Sequence, residues 1–140
     1  MAGKNQVRIV YNRFPELAQR FPDVVRGIVR DTAEAVASYS REAMRQPKSG
    51  RVYKLSKNIS HQASAPGEAP AVDTSALINS IQVEMTGKTQ ATVSTNIEYA
   101  AALEFGTSDG HIAARPFFRP AVRRVKDRFI ELLRGLEARL

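Results

Sequence analysis

Apolar residues recur along this chain in two rhythms. Between positions 25 and 43, Val25, Ile28, Val29, Thr32, Val36, Tyr39 and Ala43 follow one another at steps of three or four. That spacing lays one apolar stripe along a helix running to about Arg45. Two starts precede it, Phe14-Pro15-Glu16-Leu17 and Phe21-Pro22-Asp23, each with proline in the first turn and an acid beside it. A helix of roughly 24 residues spans about 36 Å, so it must back a sheet or bundle along its whole length. The same rhythm returns over 116–140, where Phe118, Val122, Val125, Phe129, Leu132, Leu133, Leu136 and Leu140 share a face.

The second rhythm has period two. Ile81, Val83 and Met85 alternate with Gln82, Glu84 and Thr86, and Ala91, Val93 and Thr95 alternate with Thr92 and Ser94. With Gly87-Lys88 as the turn, the pair reads as an antiparallel hairpin. A weaker alternation, with Val7, Ile9, Val10 and Tyr11, suits a short first strand over 6–11.

The remaining segments are punctuated. Pro47-Lys48-Ser49-Gly50 ends the first long helix. The stretch 47–73, rich in Gly, Pro, Ser and Ala, then reads as a long loop or extended hairpin with a strand-like Val52-Tyr53-Lys54-Leu55. A loop of this length is either a binding or assembly arm or a plain insertion. At Asp73-Thr74-Ser75 the chain regains order, where Asp73 or Thr74 can cap a short helix through Ala76, Leu77 and Ile78, and a second short helix covers 97–105. Gly106 closes that helix in a left-handed conformation, 107–111 is a surface loop, and Arg115-Pro116 opens the last helix. These elements predict an α+β class, with a small antiparallel β-sheet packed against a long N-terminal helix and a long C-terminal helix.

At 140 residues the chain has the size of a single domain, 1–140, with 47–73 as its arm. No apolar run is long enough to cross a bilayer. The first residues lack the apolar core of a secretory signal, which makes the cytoplasm of the producing cell the expected compartment. The absence of cysteine excludes disulfides, cysteine-ligated metals and thiol catalysis. The formal charge of +7 suits either phosphate neutralisation or docking on an acidic protein surface. Arg119, Arg123, Arg124, Lys126, Arg128 and Arg134 concentrate that charge on the last helix, as a solvated face or as a contact surface.

Catalytic patterns are missing. His61 and His111 stand alone in expected loops without metal-ligand spacing. Ser64 and Ser108 sit in no nucleophile-elbow context, Gly87-Lys88 belongs to no phosphate loop, and Glu98 and Glu104 point nearly opposite ways on one short helix. The expectation is a non-enzyme with no cofactor, no metal and no small-molecule substrate. Phe118 is expected in the core, whereas Phe105 and Phe117, beside turns, suit either core or interface.

Three separated blocks carry a resemblance. Tyr99-Ala100 with Leu103-Glu104-Phe105-Gly106-Thr107, then Ala114-Arg115-Pro116-Phe117-Phe118-Arg119-Pro120-Ala121, closely resemble the signature of the neck and tail-completion proteins of siphophage-type tailed bacteriophages and prophages. Upstream, Pro47-Lys48-Ser49-Gly50-Arg51-Val52-Tyr53, Ala63-Ser64-Ala65-Pro66-Gly67-Glu68-Ala69-Pro70 and Asp73-Thr74-Ser75-Ala76-Leu77 are similar to longer members, many of which carry glycine where Ser75 stands.

The resemblance implies a structural virion protein in the tail or neck, present in the host cytoplasm during assembly. It implies a ring homo-oligomer, six-fold like a tail tube, at the head-proximal end of the tail. The partners implied are the tail-tube protein and the head connector or stopper proteins, with non-specific proximity to DNA and no membrane. The candidate interaction residues are Arg51, Tyr53, Glu104, Phe105, Gly106, Thr107, Arg115, Phe117, Arg119 and Arg123. The alternative reading is a small basic DNA-binding protein using the arginine-rich C-terminal helix.

Overall fold

In the computed structural model, residues 8–46, 48, 50, 52–56, 59–62, 64–70 and 75–140 are described, with backbone alone for 52–56 and 59–62. The chain opens with two helices that share a single joint. Helix α1 (Phe14–Arg20) carries a proline in its first turn, as does α2 (Pro22–Arg45). Phe21 is at once the last cap of α1 and the first of α2, donating its N–H to the Leu17 carbonyl at 2.8 Å and accepting from Val25 N at 2.9 Å. Proline at position 22 cannot continue α1, having no N–H to give, but fits a first turn where that N–H has no partner anyway. At the other end of α2 the half-buried Lys48 ammonium donates to the Ala43 carbonyl at 2.7 Å.

Next come a hairpin of β1 (Val52–Ser56) and β2 (Ile59–Gln62), a short α3 (Ala76–Ser80), and a second hairpin of β3 (Gln82–Gly87) and β4 (Gln90–Ser94). The chain ends with α4 (Ala100–Phe105) and the long α5 (Phe118–Glu137). Among the described residues each hairpin is its own two-stranded antiparallel sheet. The class is the expected α+β, with long N- and C-terminal helices and an antiparallel sheet against them.

Helix α2 is the spine. Its first third packs Val25 with Phe129, Leu133 and Leu136 of α5, and its middle packs Val36 with Ala121 and Val125. The two long helices therefore run antiparallel. Its last third packs Ala37 and Met44 with Leu77, Ile78, Ile81, Ala100 and Phe117. On the same spine lies the β3–β4 hairpin, whose Val93 joins both of these latter clusters. Covered on two sides, α2 buries Ala33, Val36, Ala37, Ser40 and Met44, a wider band than a single stripe.

Two arginines of α2 clamp the hairpin at its ends. Arg26 donates to the Lys88 carbonyl at 3.2 Å and Arg41 to the Ile81 carbonyl at 2.7 Å. Fifteen helical residues rise about 22 Å and seven strand residues about 23 Å, so the two spacings match.

Some expected boundaries shift, each for a tertiary reason. The described part of the expected first strand, residues 8–11, is not strand, and Gln6 and Val7 lie outside the described residues. Ile9 and Tyr11 instead pack on the α1–α2–α5 seam, while Val10 is exposed. The Tyr11 hydroxyl donates to Glu137, and Arg13 bridges Glu137 at 2.9 Å and Glu16 at 2.8 Å. The tight turn falls on Lys88 and Thr89, with Gly87 still in the strand. Helix α4 starts at Ala100 because Ile97 is held in a turn, its N–H on the Thr95 hydroxyl and its carbonyl accepting from Ala100 N.

Asp73 and Thr74, the residues expected to cap α3, both lie outside the described residues. Ser75 holds the cap position at φ 63, ψ 2 and makes no side-chain capping bond. A left-handed conformation costs a non-glycine residue about 1–2 kcal/mol, partly offset by glycine's greater freedom when unfolded. Ser75→Gly should therefore stabilise the protein by about 0.5–1 kcal/mol, read as a higher denaturant midpoint at unchanged slope. A lower midpoint would mean that the serine side chain contributes more than its backbone costs.

The Glu137 cluster carries a pH signature. Its carboxyl is held below the usual glutamate range, first by the Tyr11 hydroxyl and then by Arg13. A depressed folded-state value adds stability above the unfolded value, and that stability is lost as pH falls through the folded one. Between about pH 5 and pH 3 the melting temperature of Glu137→Gln should fall less steeply than that of the parent chain. Parallel curves would remove this contribution.

Candidate interaction surface: the Glu104 junction

Where α4 ends, the chain must turn sharply without losing its last N–H groups. Gly106 donates to the Ala102 carbonyl at 2.8 Å and adopts φ 74, ψ 175. The positive φ is as expected, but ψ is extended rather than left-handed helical. This corner of conformational space is essentially closed to other residues. A Cβ here would stand 3.0 Å from the Ile112 carbonyl oxygen and 3.1 Å from Ala114 N. Glycine is required twice over, by its dihedral angles and by the strand of loop passing beside it.

The loop that follows is tied shut. Thr107 N donates to the Ile112 carbonyl at 2.9 Å, Ile112 N returns a bond to the Thr107 hydroxyl at 3.0 Å, and Gly110 N donates to Thr107 O at 3.1 Å. Asp109 accepts from the Thr107 hydroxyl at 2.7 Å and from His111 N at 3.0 Å, and its other oxygen meets His111 Nδ1 at 2.8 Å. These donors, the Thr107 hydroxyl first, hold the Asp109 carboxyl below its usual range. His111 is thus an exposed loop residue with a carboxylate partner. The side chain of His61 lies outside the described residues.

Glu104 is the centre of the junction. It is 3% exposed, yet none of its oxygens lacks a donor. Oε1 accepts from Phe118 N at 2.6 Å and Phe117 N at 3.3 Å, and Oε2 accepts from Arg119 Nε at 3.3 Å. Arg119 Nη2 also reaches the Glu104 backbone carbonyl. Phe117, the residue before α5, supplies no side-chain cap. A carboxylate from another helix takes that role, satisfying N–H groups with no partner inside α5 and meeting the positive end of its dipole. Two such groups fix the start of α5 at Phe118 rather than at Pro116. The first-turn proline is Pro120, whose missing N–H removes one more unsatisfied donor.

The other blocks converge here. Arg115 N donates to Leu103 O, Arg115 Nε to Ser64 O at 3.3 Å, and Gly67 N to Ala114 O at 2.8 Å. The root of the arm, the end of α4 and the start of α5 are therefore sewn to one another. Phe117 is 1% exposed and packs its ring 4.5 Å from that of Phe118, which is only partly buried. Phe117 is thus the better buried of the two. Phe105, on the rim, lies 4.9 Å beneath the Arg119 guanidinium.

Of the candidate residues, Glu104, Phe105, Gly106, Thr107, Arg115, Phe117 and Arg119 are brought together at this junction. Glu104 and Phe117 face inward, and Phe105 and Arg119 reach solvent. Arg123 is exposed on α5 just beyond. Tyr53 lies in β1 opposite His61, and Arg51 is outside the described residues. Sequence reasoning missed Asp109, Ser64 and the Leu103 carbonyl as members. Only the Thr-x-Asp-x-His spacing of the loop offered a signal.

The basic face of α5 is partly engaged. Arg124 stacks 3.8 Å over Tyr39, and Arg128 bridges Glu131 at 3.2 Å. Arg123 and Lys126 point outward. Among the described residues no group of three His, Asp or Glu side chains could hold a metal, and no helix is long and apolar enough to cross a membrane. Set against protein-family models, curated proteins and solved structures, the chain matches none.

Proposed function

We propose that this chain is a structural subunit of a tailed-phage neck, a tail-completion or head–tail joining protein that assembles as a ring at the head-proximal end of the tail. One observation carries the reading. The residues of the resembled signature are spent on holding α4, α5 and the arm's root at fixed angles, through Glu104 on Phe117, Phe118 and Arg119 and through Arg115 on Leu103 and Ser64. Groups used in this way set a shape and leave no reactive side chain for a substrate. A subunit of a closed ring needs such rigidity, because a small error in the angle between its two contact faces accumulates around the ring.

The positive charge fits the same role. A basic protein beside a DNA channel tolerates passing phosphate without reading sequence, and Arg123 and Lys126 stand exposed for that purpose. The competing reading, a DNA-binding protein acting through α5, requires mobility shifts at physiological salt with a steep salt dependence.

Sedimentation of the full chain, alone and with its tail-tube and connector neighbours, tests the proposal. The expected result is a larger species whose formation depends on concentration or partner. Deleting residues 52–62, the β1–β2 hairpin, while keeping Ser64 and Gly67 at the arm's root, should spare folding and abolish that species. Assembly unchanged by the deletion would make the arm a passive insertion, and a monomer under all conditions would sink the proposal.

A further inference from the structure

The two hairpins differ in what supports them. β3–β4 lies on α2, clamped by Arg26 and Arg41. β1–β2 pairs Val52 with Gln62, Tyr53 with His61 and Lys54 with Ser60, and among the described residues its only extensive contact is this pairing. An isolated two-stranded hairpin is marginal in water. Its root is nonetheless fastened, through Gly67 N to Ala114 O and Arg115 to Ser64 O, so the arm leaves the body from a fixed point.

Among the described residues β3 pairs with β4 alone, which leaves its outer edge a row of unpaired N–H and C=O groups. Natural edges of this kind are protected by lysine, proline or inward-pointing charge. β3, reading Gln-Val-Glu-Met-Thr-Gly, carries none of these, and its outward residues Gln82, Glu84 and Thr86 are exposed. Its one register shift falls between Met85 and Gly87 at the turn end, leaving Gln82 to Met85 in regular pairing with β4. β4 is the less open strand, each residue from Ala91 to Ser94 being partly covered. The charges are opposite, because the segment 50–62 holds Arg51, Lys54 and Lys57 without an acid, while Glu84 is the one charged residue of β3. The lengths agree as well, at five residues in β1 and six in β3.

We infer that the β1–β2 hairpin of one subunit adds edge-on to β3 of a second copy of this chain, building a four-stranded sheet across the subunit interface. Each copy carries both a donor hairpin and an open acceptor edge, so every subunit gives one hairpin and receives another. That is a head-to-tail contact, which closes into a ring when its rotation closes, with backbone hydrogen bonds supplying affinity and cross-strand charge supplying register. The inference rests on the ring reading and names the contact that would hold the ring.

The chain has no cysteine, which makes the test direct. Full-length Lys54→Cys and Glu84→Cys chains, each checked for an unchanged melting temperature, are mixed under assembly conditions. They are then treated with a bis-maleimide spanning about 8 Å, the diagonal distance between neighbouring strand positions. The expected product is a crosslinked heterodimer from the mixture, and a ladder ending at the ring size from the double variant. Hydrogen exchange on the unmodified protein should show the β1 and β3 amides slowing at least tenfold on assembly. Rings that form without crosslinks and without new protection overturn strand addition while leaving the ring reading in place. Chains that stay monomeric overturn both.

Discussion

Glu104→Ala should be among the most damaging single substitutions in this protein, lowering stability by about 3–5 kcal/mol, because it leaves two N–H groups at a helix start without their acceptor and opens a cavity in the core. Several losses coincide. Phe117 N and Phe118 N lose their acceptor at the start of α5, Arg119 loses its carboxylate, and a void opens beside the most buried aromatic ring. In a chain of this size the melting point should fall by roughly 10–15 °C. Glu104→Gln should cost less, about 1–2 kcal/mol, because its carbonyl still accepts from the helix start while its amide faces the guanidinium. Arg119→Ala should cost about as little, since the arginine is partly exposed and screened by solvent. Thermal unfolding of the three variants at one pH checks the order. Equal losses for Glu104→Ala and Arg119→Ala would mean that the ion pair, and not the capping, is what matters.

Gly106→Val follows, at about 3 kcal/mol, the upper end for a residue forced into a glycine-only region. The angles alone would account for a smaller loss. Contacts of 3.0 and 3.1 Å between a new Cβ and the backbone of Ile112 and Ala114 add to it, because backbone cannot swing aside as a side chain can. Gly110 gives an internal control. It has φ 78, but a Cβ added there would meet nothing within 4 Å, so Gly110→Ala should cost only about 1–2 kcal/mol. A denaturant titration placing Gly110→Ala below Gly106→Ala in stability would contradict a role for the close approach.

These two positions show what a sequence can and cannot disclose. Gly106 is legible as a residue needing positive φ because it follows a helical run and precedes polar residues. Its extended ψ is not, since that depends on residues 112–114 folding back against it. Glu104 is less legible still. On its own helix it is one acid among alanines, and its partners lie 13 to 15 positions later. Nothing local marks a carboxylate that caps another helix.

The long helices and the β3–β4 hairpin were readable because each buries a face whose period is written into its own residues. Ile9 and Tyr11 misled for the same reason in reverse. Their alternation suits a strand, but the seam between α1, α2 and α5 accepts both side chains without one. The three signature blocks could be recognised separately, whereas their convergence on one junction is a property of the fold.

Under the proposal that this junction shapes a subunit for ring assembly, imaging of the purified chain by negative-stain electron microscopy, together with the tail-tube and connector proteins proposed as its neighbours, is the most direct test. Closed rings of uniform diameter, bound at the end of the tube, are the expected result. Single particles no larger than one subunit, with the neighbouring proteins present and competent, would contradict it.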